Sequence, residues 1–117
     1  MLVNETVKSP QKKSIFVSHK GCYHNLKAED ILWITSEGNY AHIYTKERHY
    51  FNRISLSNLL KILPEYMFRK VHKCFVVRLD AIDHIDRSNN ELFVAGNKIP
   101  IGRSYKANLL GQLNLIG

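Results

Sequence analysis

Short apolar–polar alternations fill most of this chain, and that period of two is the mark of strands with one face against a core. Ser14 to His19 carries Ile15, Phe16 and Val17 and runs into the turn pair Lys20-Gly21, after which Cys22 to Leu26 reads as a short return strand. Ile31 to Thr35 is apolar and β-prone, and Ser36-Glu37-Gly38-Asn39 breaks it. Tyr40 to Thr45 sets Tyr40, His42 and Tyr44 against Ala41, Ile43 and Thr45, and His49 to Asn52 resumes as strand after the charged turn Lys46-Glu47-Arg48. Ser55 to Leu63 changes period: Leu56, Leu59, Leu60 and Leu63 recur at helical spacing, with Ser55 as N-cap and Pro64 as the stop. Beyond it, Phe68 to Val77, Ala81 to Asp86, Glu91 to Ala95 and Lys98 to Ile101 read as strands. Turns fall at Ser88-Asn89-Asn90 and Gly96-Asn97, and Ser104 to Leu113 forms a short closing helix. The pattern predicts a mainly β fold of small antiparallel sheets with one or two short helices. It shows no internal repeat and no low-complexity tract.

A length of 117 residues suits one domain, and a hydrophobic fraction of 44% is enough for a core. Met1 to Lys13 is polar, contains Pro10 and reads as a tail or linker, leaving 14–117 as the domain. The net charge of +7 points to an anionic partner: DNA, RNA, or an acidic membrane or protein surface. Cys22 and Cys74 are too few for a disulfide scaffold and fit a reducing compartment. With no signal-peptide pattern and no apolar run near the ~18 residues of a membrane span, the expectation is a cytoplasmic protein without a membrane role.

The charge is concentrated where it can act. From Tyr66 to Asp86, Arg69, Lys70, His72, Lys73 and Arg78 interleave with Phe68, Val71, Phe75 and Val77, so apolar residues anchor strands while basic ones present a cationic edge. Three loop or strand-end positions carry side chains able to read base edges: Asn39, Lys73 and Arg103. Arginine pairs in bidentate fashion with guanine and asparagine with adenine, whereas lysine donates to guanine acceptors or neutralises a phosphate. Lys46, Arg48, Arg53, Arg69, Lys70, Arg78, Lys98 and Lys106 would hold the phosphate backbone without reading sequence. The bland alternative is a solvated basic face. The convincing helix carries one basic residue, Lys61, so this is not a helix-turn-helix pattern. Phe16, Trp33, Phe75 and Phe93 read as core, while Tyr40 and Tyr105 lie beside reading residues and either buttress their loops or meet phosphate.

Other chemistry finds little support. Cys22-x-His24 and His72-x-Cys74 would supply four ligands, but the spacings are not those of common zinc folds, so no metal or cofactor is expected. Nucleophile-elbow, Walker and dinucleotide-binding motifs are missing, so the chain is not read as an enzyme. Asp80, Asp83 and Asp86 more simply offset nearby positive charge or shape turns.

Four ordered motifs carry a family resemblance. They are Glu29-Asp30-Ile31-Leu32-Trp33-Ile34-Thr35-Ser36-Glu37-Gly38-Asn39-Tyr40; Ser55-Leu56 with Leu59 and Leu63; Phe68-Arg69-Lys70-Val71-His72-Lys73-Cys74-Phe75-Val76-Val77; and Pro100-Ile101-Gly102-Arg103-Ser104-Tyr105. Over roughly Ser14 to Leu110 the chain resembles the LytTR DNA-binding domain, the β-rich output domain of many bacterial response regulators in two-component systems. The resemblance implies an elongated set of small sheets that places loops into successive major grooves of double-stranded DNA to regulate transcription. Its base-reading positions fall on Asn39, Lys73 and Arg103, and its backbone-facing positions on Tyr40, Arg69, Lys70, His72, Arg78, Ser104 and Tyr105. It also implies paired or repeated sites, a homodimer on DNA and an upstream receiver domain. The chain departs from the family at Lys73-Cys74, where Arg-Ser is common, at Arg78, where Asn is common, and at Gly102, where Ser or another residue is common. The rival readings are a basic protein-interaction module and an RNA-binding module.

Overall fold

The computed structural model describes residues 14–117; the stretch 1–13, read above as a tail or linker, lies outside the described residues. A hairpin comes first, β1 (Ser14–His19) and β2 (Cys22–Lys27). Lys20 and Gly21 join its strands, both at positive φ (52° and 79°), the geometry of a tight type I′ turn. A 3-10 turn, Ala28–Asp30, leads into β3 (Ile31–Glu37), followed by β4 (Tyr40–Thr45) and β5 (His49–Asn52). Helix α1 (Leu56–Ile62) starts at Ser55, whose Oγ accepts the Asn58 backbone N–H at 3.1 Å as the sequence predicts. Next come β6 (Phe68–His72), β7 (Phe75–Arg78), a 3-10 turn at Leu79–Ala81, and β8 (Ile82–Asp86). The last strands are β9 (Glu91–Val94) and β10 (Asn97–Pro100), before a 3-10 turn at Arg103–Tyr105 that passes into α2 (Lys106–Gly111).

Among the described residues the strands form three antiparallel sheets: β1-β2, a central sheet in the order β5-β4-β3-β7-β6, and β10-β9-β8. The central sheet has a core on each face. Ile34, Ala41, Ile43, Tyr50, Phe68 and Val76 pack against Ile15, Val17 and Leu26 of the hairpin and Leu56, Leu59 and Leu63 of the α1 region. On the opposite face Val71 and Val77 pack with Leu92, Val94, Ile99, Ile101 and Leu109, bringing the small sheet and α2 onto the β6-β7 side. The alternation read from Tyr40 to Thr45 is the reason β4 sits as it does, since Ala41 and Ile43 are buried and their neighbours face the other way.

Three expectations are corrected. The stretch Phe68 to Val77 is not one strand: it reverses at Lys73-Cys74, and β6 pairs back on β7. Neither turn residue has positive φ and neither is Gly, Pro or Asn, so the usual mark of a reversal is missing from the sequence. Phe16 is not core. Ile15 and Val17 take the inward positions of β1, and Phe16 is left 66% exposed on the outer side. The last hairpin turns at Ala95-Gly96 (φ 48° and 80°), one residue earlier than predicted, and Asn97 already pairs with Val94.

Candidate DNA interface

Antiparallel pairing decides which turns are neighbours. Thr35 of β3 stands opposite Phe75 of β7, and the Ser36 N–H donates to the Cys74 carbonyl at 3.0 Å. The β3–β4 turn, Gly38-Asn39, and the β6–β7 turn, Lys73-Cys74, therefore leave the same end of the central sheet. With strands ~4.8 Å apart, two strand spacings put these turns roughly 10 Å from each other. The third segment joins them at the outer strand. The Gly102 N–H donates to the Val71 carbonyl at 2.7 Å, which fixes the Arg103–Tyr105 turn beside the end of β6. Asn39, Lys73 and Arg103 are all exposed, and the strand order sets the Lys73 turn between the other two segments.

Each member has its own local support. Gly38 has φ +59° at the first central position of its two-residue turn, which places Asn39 at the tip. His72 and Cys74 bracket Lys73: the Cys74 N–H donates to His72 Nδ1 at 3.1 Å, and the His72 ring meets Phe75 edge-on at 5.4 Å. With Nδ1 accepting, a neutral His72 carries its proton on Nε2. Gly102 is tight because a Cβ there would come within 2.9 Å of the Tyr105 ring and 3.5 Å of the His72 Cα. Tyr105 thus buttresses the Arg103 segment, and Ser104 is exposed next to it. The β8–β9 turn holds this segment from behind, because Asn90 accepts from the Ile101 N–H (2.8 Å) and from Lys106 Nζ at its side chain (2.6 Å). Asp86 orders that turn by accepting from Asn89 and Ser88, and the Asn89 side-chain bond leads the interactions that hold its carboxyl below the usual range.

The remaining sequence candidates separate. Lys70 is half-buried on β6, and Tyr40 is 38% exposed and stacked on Phe51 (centroids 4.6 Å) beside the Asn39 turn. Arg69 is engaged internally: its guanidinium donates to the Gln112 side chain at 2.8 Å and to the Glu65 carbonyl at 3.3 Å, tying β6 to the end of α2. Arg78 lies at the other end of β7, 9% exposed, donating from Nε to the Ile31 carbonyl at 2.7 Å and pairing with Asp80. The bond to the Ile31 carbonyl is buried, while Asp80, 76% exposed, covers the guanidinium from outside, so Arg78 is a tie between β7 and β3, and the backbone contact assigned to it from sequence is withdrawn. No group of three or more His, Cys, Asp or Glu side chains arranged to hold a metal occurs among the described residues.

The profile of the LytTr DNA-binding domain family matches residues 21–114, most of the chain and all three turns. The chain belongs to the LytTr DNA-binding family. It is 27% identical over 116 residues to the sensory transduction protein LytT of Enterococcus faecalis, covering 96% of this chain and 48% of that protein. It is 29% identical over 91 residues to the LytT protein of Bacillus subtilis, covering 74% and 38% respectively. The chain therefore spans half or less of the length of these curated relatives. Its fold matches the LytTr DNA-binding domain of a putative methyl-accepting/DNA response regulator from Bacillus cereus, with a TM-score of 0.75 at 19% identity, over 86% of this chain and 99% of that one. DNA is thus the partner of this LytTr domain, and no helix among the described residues is long and apolar enough to cross a membrane.

One feature of this end of the LytTr domain had no signal in the residue pattern. Glu37, His42 and His49 form a chain that runs from the Asn39 turn toward the β4–β5 turn: His42 Nε2 lies 2.6 Å from Glu37 Oε1 and His42 Nδ1 lies 2.6 Å from His49 Nε2. They are five and seven residues apart, and only the β3-β4-β5 register brings them together.

Proposed function

We propose that this chain is the sequence-reading part of a bacterial transcription regulator, and that the row Asn39–Lys73–Arg103 is its reading head. The observation that carries this is the arrival of three turns, drawn from distant parts of the chain, at one end of one sheet. Counting three and a half strand spacings from the β3–β4 turn to the segment outside β6 gives a row of about 17 Å, longer than the width of a major groove, about 12 Å. Asn39 and Arg103 then meet separate stretches of the duplex, with Lys73 between them. Lysine lacks the planar fork of arginine, so its central position suits donation to a phosphate or a single base acceptor. Lys70, His72, Tyr40, Ser104 and Tyr105 flank the row and contact the backbone. Arg69 joins them where its bond to Gln112 is exchanged for a phosphate.

The relatives are named as sensory transduction proteins, and this chain matches half or less of their length. That supports an output domain working with an upstream receiver in a two-component system of the cytoplasm, binding paired or repeated sites as a homodimer on DNA. Guanine N7 methylation interference tests the reading, because N7 lies in the major groove. The expected result is interference in two separated segments of a bound duplex. Uniform tolerance of methylation, or equal binding of single-stranded RNA, would overturn it in favour of a general polyanion or RNA module.

A further inference from the structure

We propose that His42 and His49, acting through Glu37, are positioning residues that brace the Asn39 turn and make its base discrimination fall when both rings are charged. The inference rests on the reading that Asn39 meets a base, and deepens it. Glu37 is the last residue of β3 and stands opposite Tyr40, so it is the residue from which the Gly38-Asn39 turn springs. A Cβ at Gly38 would meet open space, so the turn is not packed at that point. Backbone pairing with Tyr40 sets where the turn begins, and the chain of two 2.6 Å contacts ties the Glu37 side chain, 74% exposed, back to β4 and β5.

The protons in this chain follow from the acceptors. The Glu37 carboxylate accepts, so His42 Nε2 carries a proton. When His42 is neutral its Nδ1 accepts, and the His49 Nε2 proton points to it. One further proton is accommodated with every contact intact, because a fully protonated ring still donates to the neutral nitrogen of its partner. Two further protons leave an N–H facing an N–H, and the His42–His49 bond breaks. The surroundings oppose charging of His49. Removal from water and then the neighbouring His42 hold His49 below the usual imidazole range. Around the pair, on the same strands, are the rings of Tyr44 (4.6 Å from His49, 6.3 Å from His42) and Phe51 (4.4 Å from His42), with Tyr40 next to Phe51. Trp33 of β3 stacks on Tyr44 at 3.9 Å and closes the cluster toward β7. Glu37 is the acidic group in contact; Arg48, in the β4–β5 turn, acts on His19 instead.

The experiment has two arms. In the free chain, the Gly38 and Asn39 amide resonances are followed by NMR from about pH 7.5 to about pH 5, with the imidazole resonances alongside. The brace requires the wild-type amides to stay in place while the pair takes its first proton, to move as it takes the second, and to stop moving in His49→Gln, where the amide keeps a donor to His42 without titrating. Amides that ignore the imidazoles overturn the proposal whatever DNA does. In the second arm, duplexes recovered from a random pool by the wild-type chain are compared with versions changed at the base pair where Asn39→Ala loses preference. The ratio of affinities cancels the added phosphate attraction of charged histidines. It should drop about five- to tenfold on acidification in wild type, the loss of roughly one hydrogen bond's worth of positioning, and stay level in His49→Gln. An equal drop in both overturns the brace. If Asn39→Ala changes no position, the reading of Asn39 falls instead, a result the first arm keeps separate.

Discussion

The two ends of the central sheet carry the same residue types to opposite purposes. At one end Asn39, Lys73 and Arg103 are exposed, held by backbone and aromatic supports and with their own side chains turned outward. At the other end Arg78, on the strand that begins at the Lys73 turn, folds its guanidinium onto the Ile31 carbonyl and Asp80. Polar and basic residues are exposed in the turns at one end, and at the other a basic residue on a strand is an internal tie. The tie makes β7 and β3 a fixed platform from which the turns project, and a platform is what a reading head built of turns requires.

Breaking the tie should have the largest effect. Arg78→Ala strands the Ile31 carbonyl and should cost roughly 2–4 kcal/mol of folding stability by urea titration. The fraction still folded should bind DNA as wild type does. A loss of affinity with unchanged stability would return Arg78 to the interface. Arg103→Ala should do the reverse, costing about 1–3 kcal/mol of binding to a preferred duplex with the denaturation midpoint unmoved. Ser55→Ala, which removes the α1 cap on the far core, should lower stability by about 1 kcal/mol and leave affinity alone. Lys70→Ala should weaken every duplex alike and lower the salt slope by about 0.9, which a binding series across salt concentrations reads directly.

Acidification should sharpen the same contrast. Loss of water contact, ahead of the charges of His24, Lys20 and Arg48, lowers the pKa of His19, and loss of water contact followed by His42 lowers that of His49. A depressed histidine pKa means the fold favours the neutral ring. That contribution is whole above the usual imidazole range and is lost as pH falls through the lower folded value. Melting temperature should therefore fall between neutral and mildly acidic pH. Asp86, held below the usual carboxylate range, keeps the turn behind Arg103 ordered until well under that window.

Much of this was legible in the residues. The period-two runs placed most strands, and the leucine spacing placed α1 with its Ser55 cap. What the sequence could not reveal came from pairing. Lys73-Cys74 carries no turn residue, so β6 and β7 read as one strand until their register is seen. Arg69 and Arg78 look like Lys70 along the chain, and only the positions of Gln112 and the Ile31 carbonyl separate them. Phe16 is as apolar as its neighbours, but a strand has two faces and the core takes one. The Glu37–His42–His49 chain lies across three strands and follows no linear motif.

The claim that one end of the sheet reads sequence is tested most directly by selecting from a random duplex pool with wild type, Asn39→Ala, Lys73→Ala and Arg103→Ala side by side. The structure predicts a sharp wild-type motif, loss of information at separate positions for Asn39→Ala and Arg103→Ala, and any Lys73→Ala effect lying between those two. Variants that weaken binding evenly, with the motif intact, would contradict the claim and leave the row as a phosphate clamp.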